Sequence, residues 1–128
     1  MGLSSHFFIL MLSRFLLSLL LLAPTMPAHA LSRQCGEASH YGVGDSYHGQ
    51  RTASGARFNA YGPTAAHPSL PFGTRLLVTN RDNGKQTVVT INDRGPYYGG
   101  RIIDLSHGSF SKIASPSQGV ARVCIARI

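Results

Sequence analysis

Thr87–Ser106 reads TVVTINDRGPYYGGRIIDLS. Its opening, TVVTIN, is β-branched and nearly continuous in apolar or Thr character, which predicts a strand buried on more than one side. The next residues, Asp93 to Gly100, hold three glycines and a proline, so neither a helix nor a regular ladder continues through them. GRIIDLS, 100–106, then resumes as a second short strand. The whole chain has five acidic residues, and two of them, Asp93 and Asp104, stand here beside a strand. Asp93 thus has a rigid stem behind it and an exposed turn ahead, the setting of a presented carboxylate or of a loop cap that accepts backbone amides.

Upstream, RLLVTN (75–80) has the branched content of a strand, and RDNGKQ supplies a turn in which Asn83-Gly84 accepts positive backbone angles. With TVVTIN this predicts a hairpin. EASHYG (37–42) alternates weakly and is a candidate first strand, while 43–60 is rich in Gly, Ser, Asp and Asn and reads as a long loop. PTAAHPSLPFGT (63–74) contains three prolines and a glycine and excludes a long helix. Downstream, SHGSFSKIA predicts a short helix or turn with Ser106 as its cap. VARVCIARI (120–128) alternates as a last strand, with Val123, Ile125 and Cys124 competing for the interior. The absence of long crossover helices excludes a doubly wound sheet. The expected class is mostly β, a small closed barrel with short helices, which leaves few bare edges.

Residues 1–30 contain the apolar run LSRFLLSLLLLAPT and end at PAHA, a small-x-small pattern, and predict a cleavable export signal. Residues 31–128 are then one domain, with no stable membrane insertion after cleavage. The full chain carries a formal charge of +7, and losing Arg14 with the signal leaves +6. Such a surface favours polyanions, and export removes nucleic acid from the candidates while leaving anionic lipid and acidic wall polymer. Cys35 and Cys124 pair in an oxidising compartment or stay as two buried thiols. No His-Cys spacing points to a metal site, and no cofactor is expected.

The segments ASHYG, HGQRTASG, TAAHPSLPFGTRLLVTNRDNGK, VVTINDRGPYYGGRIIDLS and VARVCI together resemble the rare lipoprotein A family of bacterial cell-envelope proteins. The resemblance implies a six-stranded double-psi β-barrel. It also implies a lytic transglycosylase that cleaves the MurNAc-GlcNAc bond of peptidoglycan, prefers peptide-free glycan strands and leaves 1,6-anhydro-MurNAc ends. The expected location is the periplasm or cell exterior, with peptidoglycan strands as partner and a monomeric state. The alternative is a barrel that binds polysaccharide without cutting it, as the related expansins do.

The family's Glu, His and Asp carry over onto Ala56, His67 and Asp93, so the Glu is absent here. Where the family has ASWYG this chain has His40, which removes one expected stacking ring. Asp93 is then the expected proton donor and His67 a catalytic partner that orients sugar, holds Asp93 or relays a proton. His67 as a ligand of its own loop backbone is the competing role. Arg94, Tyr97, Arg101 and Asp104 are candidate substrate-binding residues. Asp104 resembles the acid of HFDLS segments in expansin and cellulase relatives, or serves the amides of the short helix after it. Asp45 and Glu37 are carboxylates without a positional claim to replace the missing Glu.

Overall fold

The computed structural model describes residues 33–128, so the expected export signal at 1–30 lies outside the described residues. The strands are β1 (Gln34–Tyr41), β2 (Thr64–Ala66), β3 (Arg75–Asn80), β4 (Gln86–Asp93), β5 (Arg101–Ser106) and β6 (Ala121–Arg127). One short helix, α1 (His107–Ser111), and a 3-10 turn (Pro116–Gln118) lie between β5 and β6. The strands close in the order β1-β5-β2-β4-β3-β6. β1/β5 and β2/β4 are parallel and the other four pairs antiparallel. This is a closed six-stranded double-psi barrel.

Alternation builds the core. Leu76 and Val78 of β3, Val89 and Ile91 of β4, Ile103 and Leu105 of β5, and Val123 and Ile125 of β6 are fully buried, each two residues from its mate. Phe110 and Ile113 close the interior from α1 and the turn after it. The helix is short but capped: Ser106 Oγ accepts from the Ser109 amide at 3.1 Å and donates to the Gly62 carbonyl at 2.6 Å. The β3–β4 turn uses Gly84 at φ 74°, and the buried Asn80 at its base donates to the Ile113 carbonyl at 2.7 Å. That bond ties the hairpin to the segment after α1.

Two differences from the sequence reading matter for the site. β1 begins at Gln34 rather than Glu37, because its first half pairs with β6. β2 lies inside the proline-rich stretch from which the residue pattern excluded a long helix without marking a strand. Three residues, two of them Ala, give no periodic signal; β2 is a strand because β4 and β5 flank it on both sides. Cys35 and Cys124 are direct register partners across β1–β6 and form a disulfide. It joins strands whose cysteines are 89 positions apart in sequence.

Candidate active site

Register shifts in the two parallel pairs set up the site. Along β2, Ala65 pairs with Ile91 while Ala66 pairs with Asp93, so Asn92 is skipped. On its other side Ala66 pairs with Asp104 of β5. The two acids of the opening stretch therefore flank one alanine, whose methyl leaves the space between them open. A cleft of about 210 Å³ lies there, lined by Tyr41, Tyr47, Ala66, Asp93, Arg94 and Asp104. A neighbouring cleft of about 440 Å³ shares Tyr47, Arg94 and Asp104 and adds Ser39, Arg101 and the Gly95–Tyr98 loop.

The two carboxyls have different surroundings. Asp93 faces donors only: the Ala53 amide at 3.0 Å and the Arg94 amide at 2.9 Å on Oδ1, and the Tyr41 hydroxyl at 3.1 Å on Oδ2. Asp104 accepts one bond, from Ser39 Oγ at 3.3 Å. Burial pushes its carboxyl up to about 6, against the opposing pull of Ser39 and of the positive charges of His40 and Arg101. A carboxyl in that range holds its proton part of the time near neutrality.

β1 supplies the partners of both acids. Ser39 and Tyr41 are two apart and share a face, so one strand serves Asp104 and Asp93 in turn. Gly42 ends the strand at φ 117°, where a Cβ would collide with Phe58. The Tyr41 ring accordingly stacks on Phe58 at 4.4 Å. Burial first, and the charge of Asp93 second, raise the Tyr41 phenol above its ordinary range, so it remains a donor. Ser39, the Tyr41 hydroxyl and the Ala53 amide are site groups that the residue reading left unassigned. The i, i+2 spacing in ASHYG was the available signal for the first two.

His40 faces the opposite way. Its Nε2 lies 3.0 Å from the Pro116 carbonyl and its ring packs 4.6 Å from Phe110. His40 therefore packs against α1 and its neighbouring turn, and the clefts are lined by Tyr41, Tyr47, Tyr97 and Tyr98.

His67 lines neither cleft. It is buried, and its Nδ1 accepts from the Ser69 and Leu70 amides, both at 3.1 Å. That fixes Nε2 as the protonated nitrogen, 3.4 Å from Gln34 Oε1. Burial, and after it the Arg94 charge, lower its pKa and favour the neutral ring. Its backbone is joined to the site: the His67 amide donates to the Asp93 carbonyl at 3.2 Å and its carbonyl accepts from Arg94 at 3.4 Å. His67 is thus tied through its backbone to Asp93 and Arg94.

Arg94 donates to the Leu70 carbonyl at 2.9 Å and stacks over Phe72 at 4.0 Å, fastening the 67–72 loop to the cleft wall. Arg101 lines the larger cleft with its guanidinium 5.5 Å from the Tyr98 ring centre. Tyr97 and Tyr98 are 77% and 73% exposed, flat amphipathic rings at the rim. Asp45 is occupied by the Gly42 and Tyr47 amides. Ala56 is exposed, on the 51–57 hairpin whose Ala53 amide reaches Asp93. Among the described residues there is no cluster of His, Cys, Asp and Glu able to hold a metal ion.

The family model described as "Lytic transglycolase" matches residues 33–125. The chain belongs to the RlpA-like double-psi β-barrel family. It is 57% identical over 90 residues to the "Probable endolytic peptidoglycan transglycosylase RlpA" of Synechocystis sp., covering 70% of this chain and 27% of that protein. It is 48% identical over 91 residues to the endolytic peptidoglycan transglycosylase RlpA of Pseudomonas aeruginosa, covering 71% and 26%. The chain thus spans about a quarter of the length of these RlpA relatives. Among solved structures, the Streptomyces papain inhibitor aligns with a TM-score of 0.63 at 21% identity, over 80% of this chain and 99% of that one. A mutant expansin of Clavibacter michiganensis in complex with cellohexaose aligns with a TM-score of 0.61 at 20% identity, over 76% and 50%. These two share the RlpA-like fold.

Proposed function

We propose that this RlpA-like barrel is an exported lytic transglycosylase that cuts MurNAc-GlcNAc bonds in peptidoglycan, acting as a monomer in the periplasm or outside the cell. The observation that carries the proposal is the pair Asp93 and Asp104 on either side of Ala66, one held by three donors and the other pushed up to about 6. Glycoside cleavage needs a proton for the leaving oxygen and negative charge beside a cationic sugar. Unlike environments divide those tasks between two carboxyls.

In this scheme Asp104 gives its proton to the glycosidic oxygen as the bond from that oxygen to the muramyl C1 breaks. Asp93, anchored by Tyr41 and two amides, offers negative charge to the cationic ring. The muramyl O6 then bonds to C1, and its proton returns to the Asp104 carboxylate. The products are an anhydro end and a free sugar hydroxyl, and the acid is restored without water being consumed. His67 acts as a positioning residue through its backbone bonds to the Asp93–Arg94 segment. This departs from the role expected of Asp93 from the family resemblance. The support is that the neighbours of Asp93 are all donors, whereas Asp104 is the carboxyl favoured in its neutral form.

The test is to incubate the folded protein with purified sacculi and with peptide-free glycan strands, and to search the products by mass spectrometry for anhydromuramyl ends. Their formation is the expected result. Ala56, where the resemblance implies a Glu, favours a second reading: a barrel that binds wall polysaccharide and leaves it intact. Strand binding with no anhydro ends would establish that reading and remove the first.

A further inference from the structure

Two arginines line the larger cleft, and they are in different situations. Arg94 is bonded to loop carbonyls and covered by Phe72. Arg101 stands on the Tyr98 ring, and among the described residues its guanidinium meets no hydrogen-bond acceptor. Asp104, on the same strand, is bonded to Ser39 instead of to Arg101. A planar fork of unused N–H groups, lying in a cleft of about 440 Å³ and backed by an aromatic face, matches a carboxylate in two-point geometry. Tyr97, exposed on the same rim, offers a flat face to a sugar ring.

We propose that Arg101 is the specificity-determining subsite for a carboxylate carried by the sugar itself. It would seat either the lactyl carboxylate of a muramic acid whose stem peptide is gone or the carboxylate of a hexuronic acid. The inference rests on the cleft being a glycan site, as proposed above, but not on cleavage taking place. An amide-capped lactyl group has lost the charge and one acceptor oxygen, so the fork discriminates against it. Seating the carboxylate also acts on the chemistry. The Arg101 charge favours ionised Asp104, and a substrate anion placed on Arg101 offsets that influence and favours the acid form.

The experiment measures binding and cleavage separately, at low salt, for the parent, Arg101→Gln and Arg101→Lys. The ligands are peptide-free strands, the same strands with their lactyl carboxylates converted to amides, and a polygalacturonate oligomer of matched length. The parent should bind at least one free-carboxylate ligand about tenfold or more tighter than the amidated strands, the scale of a charge-assisted hydrogen bond. Arg101→Gln should abolish that preference and Arg101→Lys should keep only part of it. Melting curves that match the parent will show that both variants are folded, as expected for a side chain without internal bonds. The stronger of the two carboxylate ligands names the sugar. A parent indifferent to amidation, or a preference that survives Arg101→Gln, overturns the subsite. Absence of anhydro ends alongside an Arg101-dependent preference would remove the transglycosylase reading and leave the subsite standing.

Discussion

Asp93 and Asp104 are both register partners of Ala66, the first across the parallel β2–β4 pair and the second across the antiparallel β2–β5 pair. Two interstrand steps place their Cα atoms about 10 Å apart. Their side chains line one cleft, and their hydrogen-bond partners give them different surroundings.

Asp104 is expected to cost the fold stability at neutral pH. Its folded value of about 6 lies above its ordinary 3.8, so the fold favours the neutral form. The contribution is complete below the ordinary value and is lost as pH rises through about 6. Asp104→Asn should therefore be more stable than the parent at pH 7.5 by about 1–3 kcal/mol, and equal to it near pH 3.5. Its yield of anhydro ends should fall about 100-fold or more. Urea unfolding at the two pH values checks the first part. A difference independent of pH would contradict it.

Asp93→Asn should give a different pattern. The amide keeps one acceptor oxygen but turns an N–H group towards a site filled with donors. Turnover should fall about 100-fold while strand affinity stays within a few-fold. If the rate of this variant loses a pH dependence that the parent shows and that Asp104→Asn keeps, Asp93 is the proton donor and the roles given above are reversed.

Tyr41→Phe removes only a hydroxyl and keeps the stack on Phe58. The expected cost is about 1 kcal/mol in stability. Turnover should fall about tenfold, because Asp93 Oδ2 loses the partner that orients it. Full activity in a folded Tyr41→Phe would show that the two amides on Oδ1 suffice.

Replacing Cys35 and Cys124 together by Ser releases a loop that spans nearly the whole barrel. The chain-entropy estimate for a loop of this length is about 4–5 kcal/mol. Denaturant midpoints with and without reductant measure it. The disulfide joins β1 to β6 away from the cleft residues, so turnover of the fraction that remains folded should be nearly unchanged.

Ala56→Glu places a carboxylate on the hairpin that reaches Asp93 through the Ala53 amide. Turnover on peptide-free strands should rise with little change in binding. Equal or lower turnover in a folded variant would show that the hairpin stands outside the reacting centre.

The strands β3, β4, β5 and β6 were legible in the residues because alternation with a buried face leaves a period of two. The Asn83-Gly84 turn and the Ser106 cap were legible because few other residue types satisfy those backbone demands. The family was legible in the joined motifs from ASHYG to VARVCI. β2 was not, since three residues carry no period and become a strand only between two neighbours. The site needed those neighbours too. Register, not sequence distance, brings Asp93 and Asp104 to opposite sides of Ala66, puts Tyr41 on one and Ser39 on the other, turns His40 towards α1, and closes His67 around its own loop amides. Hydrogen-bond partners are a property of the assembled barrel, and it is they that separate two aspartates which the sequence writes with the same letter.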